Sequence, residues 1–373
     1  MSGLMEEMAS KASRLNIPLN VQLDLTYRCN ERCVHCYLDH NDHGEMSTAE
    51  IKHLLDEMAE AGVFILTLSG GEIFLRKDFF EILEYARRLM FCVRLKTNAV
   101  LIRERDAARL RELAVESIQV SIYSHRPEVH DSITLLRGSL KRSLDAMRFL
   151  KAQGLKVIVA NVLMTQNMRD YTSVRALAEE LGVECTLDPT VTPMMDGDRS
   201  ILSLGVDQNA LREVFRDSSL VGDIDEFCAI AAEPGQDDLE ATPCSAGHTA
   251  CYVSPYGDVF PCVQFPLPTG NVRRERFVDI WRHSSQMNEV RSIRLKDLPT
   301  CSSCTHASGC TRCPGLAYME GNMRGPSSQD CEKSFARTGV PSANMLAKQR
   351  VLANLVQIRP VPVVNNAAAG ALA

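Results

Sequence analysis

The chain has 373 residues, of which 45% are apolar and 24% charged, an ordinary globular balance for two or three domains. No stretch approaches the roughly 18 consecutive apolar residues of a spanning helix, so no membrane segment is expected. Forty-one Lys plus Arg against 47 Asp plus Glu leave a net charge of −6, which argues against a nucleic-acid partner.

The start MSGLMEEMASKASRLN carries acids and no apolar signal core, so a cytoplasmic location is expected. The abnormal count is cysteine, at 14. In a cytosolic chain such clusters more often bind metal or do redox chemistry than form disulfides. They fall at 29, 33 and 36, then at 244, 251 and 262, then at 301, 304, 310, 313 and 331, with Cys92, Cys185 and Cys228 between.

In chain order, short β-branched runs alternate with amphipathic stretches. VQLDL (21–25), FILTLS (64–69), VRLK (93–96), SIQVSI (117–122), VIVANVLM (157–164) and ECTLD (184–188) read as six strands. The intervals 47–61, 78–90, 106–113, 139–153 and 170–181 read as helices. The first opens with S-T-A-E, a capping box, and sets Ile51, Leu54, Leu55 and Met58 on one face. Repeated βα units predict a parallel sheet. After Pro189 the rhythm stops, and a Gly, Asp and Pro-containing connector leads to a Cys, Gly and Pro-rich second domain. Its lack of long periodic segments predicts that metal sites, and not a large apolar core, hold it together. The tail from about Thr338 contains one amphipathic helix and then PVPVVNNAAAGALA, which has too few large apolar groups to fold alone. The expected boundaries are an N-terminal extension 1–18, a barrel domain 19–215, a connector 216–243, an auxiliary domain 244–335 and a partly disordered tail 336–373.

TYRCNERCVHCY follows the first strand, so Cys29, Cys33 and Cys36 sit on the loop at a strand's C-terminal end, where parallel sheets build active sites. Three thiolates spaced C-x3-C-x2-C can hold three irons of a 4Fe-4S cluster, and with no fourth cysteine near, one iron stays open. A zinc site completed by His35, His40 or His43, or plain buried thiols, are the alternatives. After the second strand stands SGGE, 69–72: Gly70 and Gly71 permit close backbone approach, and Glu72 offers a carboxylate to an ammonium.

With these two motifs the sequence resembles the radical S-adenosylmethionine (radical SAM) enzymes, whose hallmark is this cysteine loop in a partial (β/α)6 TIM-like barrel. The resemblance implies that Cys29, Cys33 and Cys36 carry the catalytic cluster and that Gly70, Gly71 and Glu72 bind the cofactor's methionine amino group. It also sets His35 against the adenine, and Asn98 and Ser121 near the ribose or carboxylate. The family's carboxylate-binding arginine falls near Thr134, with Arg137 beyond it.

The later cysteines read C244-x12-G257-x4-C262, C301-x2-C304-x5-C310-x2-C313 and Cys331. This resembles the SPASM domain, a two-cluster extension, with its last interval one residue off the usual pattern. Carried over, Cys301, Cys304, Cys310 and Cys331 ligate the outer cluster, and Cys244, Cys262 and Cys313 the inner one. The fourth inner ligand is open between Cys251, Cys228 and none. Zinc is the alternative for the C-x2-C pairs. Cys92 and Cys185 read as buried strand residues.

The implied cofactors are three 4Fe-4S clusters and S-adenosyl-L-methionine, which is reductively cleaved to a 5′-deoxyadenosyl radical. The leading reading is a maturase that crosslinks or oxidises a side chain of a ribosomally made peptide or protein. A flavodoxin- or ferredoxin-like electron donor is expected. With only about twenty residues before the first strand, a separate leader-peptide recognition protein is expected too. The alternatives are a sulfatase-maturase-like enzyme, disfavoured because Val263 follows Cys262 where that type has an aspartate, and a small-molecule dehydrogenase or decarboxylase. A non-catalytic iron–sulfur electron carrier and a zinc-stabilised binding module come from other classes.

Overall fold

The computed structural model describes residues 2–356; the stretch PVPVVNNAAAGALA, expected to lie unfolded, falls outside the described residues. All six expected strands form, as β1 (Asn20–Thr26), β2 (Ile65–Gly70), β3 (Cys92–Thr97), β4 (Ser117–Ser121), β5 (Val157–Val162) and β6 (Glu184–Asp188). Each pairs in parallel with the next, so every crossover carries a helix. After α1 (Ser2–Arg14), the crossover helices are α2 (Thr48–Glu60), α3 (Phe79–Arg88), α4 (Glu104–Glu112), the pair α5 (Pro127–Thr134) and α6 (Ser139–Ala152), and α7 (Tyr171–Glu180). The capping box at the start of α2 is present: the Ser47 hydroxyl accepts from the Glu50 N–H, and the Glu50 carboxylate accepts from the Ser47 N–H at 2.7 Å.

Alternation along each strand separates two faces. Val21, Leu23, Leu66, Leu68, Val93, Leu95, Ile118 and Val120 are buried against the helices. Gln22, Asp24, Thr67, Ser69, Arg94, Lys96, Gln119 and Ser121 face the other way. Strands spaced about 4.8 Å apart cannot all reach one cavity from a flat sheet. A single cavity of about 450 Å³ is nevertheless lined by residues of β2, β3, β4, β5 and β6. The sheet therefore curls into a partial barrel around a polar interior, as expected from the βα rhythm.

A short helix α8 (Gln208–Val214) ends the stretch expected as the barrel domain, and three more, α9 (Ser218–Val221), α10 (Ile224–Cys228) and α11 (Gln236–Glu240), lie in the expected connector. Beyond it β7 (Ala250–Val253), β8 (Asp258–Phe260) and β9 (Gly270–Asn271) extend the sheet in the order β6-β5-β4-β3-β2-β1-β7-β8-β9. β7 runs parallel to β1, and its Tyr252 hydroxyl donates to Asp24 at 3.0 Å and lies 2.5 Å from the Tyr27 hydroxyl. Helices α12 (Phe277–His283) and α13 (Ser285–Ser292) follow, then α14 (Pro299–Ser302), α15 (Pro314–Met319), α16 (Ser328–Thr338) and α17 (Ala343–Val356).

The expectation that metal sites alone hold the second domain is corrected here. Val253, Val259, Phe277, Ile280, Trp281 and Met287 belong to the same buried cluster as the barrel strands and α2. The Phe277 N–H donates to the buried Glu57 at 2.7 Å, and the Trp281 indole donates to Asn16 O at 2.6 Å. Elements too short to bury a face alone do so by adding to the barrel's β1 edge. Among the described residues, the connector between Val214 and Ala246 and the stretch from about residue 299 onward are poor in large buried apolar side chains.

Candidate functional site

The loop after β1 carries Cys29, Cys33 and Cys36, and α5 holds it from behind. The Arg32 and Val34 N–H groups donate to Thr134 O and Ile133 O, each at 3.0 Å, and the Cys36 N–H closes a turn on Cys33 O. All three thiols line the 450 Å³ cavity at the C-terminal ends of the strands. Burial pushes the Cys29 thiol up to about 12, with Glu72, Glu31 and Cys36 adding to the rise. Burial also raises Cys33 strongly, helped by Glu31, Cys36 and Cys29. The thiols thus sit in one another's field. Yet among the described residues no three His, Cys, Asp or Glu groups are placed to hold a single metal ion. Three thiols lining one cavity can hold three irons of a four-iron cluster.

The second motif is fastened to the first through backbone. The Gly71 N–H donates to Thr26 O at 2.7 Å and the Glu72 N–H to Arg28 O at 2.9 Å. Gly70 has φ +133°, and a Cβ there would lie 2.2 Å from Thr26 O; at Gly71 it would lie 2.4 Å from Arg28 O. Only glycine permits this approach. Both glycines line the cavity, whereas the Glu72 carboxylate turns into the protein. There it accepts from the Phe74 and Asn98 N–H groups at 3.1 and 2.9 Å and from the Thr97 hydroxyl. Burial raises it to about 7.

His35, Asn98 and Ser121 all line the cavity. The His35 ring packs edge-on against Tyr123 with centroids 4.8 Å apart, and burial lowers its pKa to about 4, so it is neutral. Asn98 donates to Asn30 Oδ1 at 3.0 Å and approaches the Cys29 sulfur at 3.6 Å. Thr134 is occupied with Ser139, and neither it nor the exposed Arg137 reaches the cavity. Sequence reading missed Lys96, the single lysine or arginine lining this cavity, which donates to Gln22 at 3.0 Å. Its signal was available: VRLK alternates, so Arg94 and Lys96 share the interior face of a parallel strand. It also missed Glu31, buried between the thiols and donated to by Cys33 at 3.4 Å.

The Asn30 Nδ2, Glu31 Oε1, His35 Nδ1 and Asn161 Oδ1 atoms are buried without partners among the described residues, so this part of the molecule is built to receive polar groups. The thiols, the glycine turn and these donors and acceptors fit a cluster with its nucleoside cofactor.

Cys244, Cys262 and Cys313 line a second cavity of about 890 Å³. Burial, with Cys313 and Cys262 adding to the rise, lifts Cys244 to about 11. Lys96, Gln119, Val263 and Gln264 line both cavities, so the two adjoin. Cys301, Cys304, Cys310 and Cys331 surround a third, of about 170 Å³. Their sulfurs meet donors: the Ser334 hydroxyl at 3.5 Å from Cys310, the Ala343 N–H at 3.4 Å from Cys304, and the Asn344 amide at 3.8 Å from Cys331. Such donors suit cluster thiolates.

Cys251 also borders the second cavity, but alternation along β7 sets it on the helix side with Val253, in the apolar core and opposite Tyr252. Cys228 lies on α10 with its sulfur 3.6 Å from Phe215 O, away from all three cavities. Cys92 and Cys185 are half-buried strand residues.

A three-thiol loop at the mouth of a partial parallel barrel, with two further thiol groups behind it, defines the class of iron–sulfur enzymes. Residues 23–178 match the radical SAM superfamily, and residues 244–305 match SPASM, an iron–sulfur cluster-binding domain. The chain belongs to the radical SAM superfamily and carries a SPASM domain. It is similar to the AdoMet-dependent heme synthase of Methanosarcina barkeri, with 28% identity covering 81% of this chain and 93% of the relative. It is also similar to the mycofactocin maturase MftC of Mycobacterium tuberculosis, with 29% identity covering 90% and 88%. Among solved structures, Streptococcus suis SuiB bound to its precursor peptide SuiA superposes with a TM-score of 0.69 at 18% identity, covering 86% of this chain and 78% of SuiB. When bound, a 4Fe-4S cluster with S-adenosylmethionine supplies one-electron cleavage to a 5′-deoxyadenosyl radical that takes a hydrogen atom from the substrate.

Proposed function

We propose that this enzyme oxidatively modifies a side chain of a ribosomally made peptide or protein, forming a crosslink or an oxidised residue. The adjoining 450 and 890 Å³ cavities support this most directly. A substrate segment placed against Lys96 and Gln119 would touch the space before Cys29, Cys33 and Cys36 and also that before Cys244, Cys262 and Cys313. Similarity to the mycofactocin maturase and the fold shared with peptide-bound SuiB point the same way.

In this reading Cys29, Cys33 and Cys36 hold the cleaving cluster, and Gly70 and Gly71 receive the cofactor's methionine end. Glu72 acts by shaping that turn. His35 covers the adenine as a neutral ring, Asn98 and Ser121 bind polar groups of the cofactor, and Lys96 offers its ammonium to a carboxylate. The polar barrel interior orients the substrate while the α-helical shell excludes bulk water. Cys301, Cys304, Cys310 and Cys331 hold the outer cluster, and Cys244, Cys262 and Cys313 the inner one. A flavodoxin- or ferredoxin-like donor, a separate leader-recognition protein and a cytoplasmic location belong to the same proposal. No described helix is long and apolar enough to cross a membrane.

The similarity to the heme synthase favours one second reading, radical decarboxylation of a haem precursor. The test incubates the reduced, cluster-loaded enzyme and S-adenosylmethionine with a candidate short precursor peptide or with a haem-precursor porphyrin. Mass spectrometry then follows each substrate. Loss of hydrogen from the peptide supports the maturase; an unchanged peptide alongside loss of carbon dioxide from the porphyrin overturns it.

A further inference from the structure

Arg312 occupies the short interval between Cys310 of the outer thiol group and Cys313 of the inner one, and it lines both cavities. It is only 7% exposed. Its Nε and Nη2 donate to Gly325 O at 2.9 and 2.6 Å, and Nη2 also donates to Met323 O. These bonds fix the guanidinium plane. Nη1 is buried with no acceptor among the described residues. No carboxylate pairs with Arg312 among them either, because the neighbouring Asp330 is taken by Lys333 at 2.7 Å.

A buried guanidinium with no counter-charge is costly, and an orphaned donor adds to the cost. The anion that would balance both is the one the thiols imply, since a four-iron cluster with thiolate ligands is negatively charged and becomes more so on reduction. We propose that Arg312 is the shared electrostatic partner of the two auxiliary clusters, a positioning residue whose fixed charge raises their midpoint potentials and favours their reduced states. Among the described residues no arginine lines the Cys29, Cys33 and Cys36 cavity, whose one cationic side chain is Lys96. Lys96 borders the front and the inner cavities alike, so what sets the two auxiliary groups apart is the fixed guanidinium of Arg312.

The experiment is a dithionite titration of the reconstituted full-length protein, followed by electron paramagnetic resonance, with iron counted per chain. In Arg312→Gln the ratio of reduced to oxidised auxiliary cluster at a fixed potential should fall about tenfold, a shift of about 59 mV for one electron. The cleaving cluster's potential should stay in place. Arg312→Lys, which keeps the charge but loses the fixed fork, should fall between the two. Unchanged auxiliary potentials in a fully loaded Gln variant overturn the proposal. Should the Gln variant lose iron, the Lys variant decides: iron lost equally there, with the remaining auxiliary clusters at the wild-type potential, makes Arg312 only a loop anchor, whereas full loading at a lowered potential supports the proposal.

Discussion

The Thr97 hydroxyl stands 2.8 and 2.9 Å from the two carboxylate oxygens of the fully buried Glu72, at the point where β3 ends. This contact ties the SGGE turn to the neighbouring strand. Replacing Thr97 with Val keeps the shape and leaves a buried carboxylate one donor short, at a cost of about 1–3 kcal/mol. The expected outcome is a lower unfolding midpoint together with weaker S-adenosylmethionine binding, because the turn that receives the cofactor loses its support. A calorimetric scan and a cofactor-binding isotherm on the same preparation check both.

Cys33→Ala removes one of three thiols that the β1 loop brings to the same cavity. Cofactor cleavage to 5′-deoxyadenosine should disappear, and about four of about twelve irons should be lost. The auxiliary clusters lie on other elements and should keep their spectra. Chromatography for 5′-deoxyadenosine with an iron count reads this; retained cleavage would refute the assignment of the loop.

The front half of the molecule was legible because hydrophobic alternation and βα spacing act locally. β6 forms over the very residues of ECTLD, and the S-T-A-E box caps α2. The α5 helix was missed because it is eight residues long and starts at a proline inside what reads as a loop. The joining of β7 to β1 was invisible for a different reason. Parallel pairing between residues more than 200 apart leaves no periodic trace in either segment. At the site, motif spacing located every thiol that the structure gathers. Lys96 is readable from the alternation of VRLK, whereas the placing of Arg312 depends on which way a side chain points within a tight loop, and spacing carries no such information.

Cys251 lies in the apolar core on the helix side of β7, whereas Cys262 lines the inner cavity. Cys251→Ser buries a hydroxyl among apolar groups and should destabilise the fold by about 1–3 kcal/mol while leaving the iron content unchanged. Cys228→Ser should leave both unchanged, and Cys262→Ser should lose inner-cluster iron. Equal iron loss in the Cys251 and Cys262 variants would make Cys251 a ligand.

His130 gives the fold a pH dependence whose sign follows from its surroundings. It is buried, its Nδ1 accepts from the Tyr123 N–H at 3.1 Å, and burial lowers its pKa to about 4. The unfolded chain therefore binds a proton near pH 6.5 that the folded chain refuses. Stability is complete above pH 6.5 and falls as the pH drops from there toward 4, by up to about 3 kcal/mol. His130→Gln keeps an acceptor and removes the titration. Urea midpoints at pH 7.5 and 6.0 should lie closer together in the variant than in the wild type, the rest of the separation belonging to His35 and His248, whose pKa burial also lowers to about 4; an unchanged separation would remove His130 as a cause.

The two glycines of the cofactor turn differ in what confines them, and this separates backbone strain from steric overlap. Gly70 combines φ +133° with a Cβ position 2.2 Å from Thr26 O, while the Gly71 Cβ position meets only carbonyls, Arg28 O at 2.4 Å and Tyr27 O at 2.6 Å. Both neighbours are backbone of the cysteine loop, so a methyl at Gly71 cannot be relieved by a side-chain rotation. It must push the loop away from β2. Gly71→Ala should therefore disturb the cleaving cluster through geometry alone, with auxiliary iron intact and cofactor cleavage reduced at least about a hundredfold, since small misplacements of reacting groups have that effect. Spectra of the cofactor-bound cluster would show the displacement directly. Wild-type cleavage by Gly71→Ala would mean that the β1 loop yields freely at Arg28, contrary to the Glu72 N–H bond that pins it.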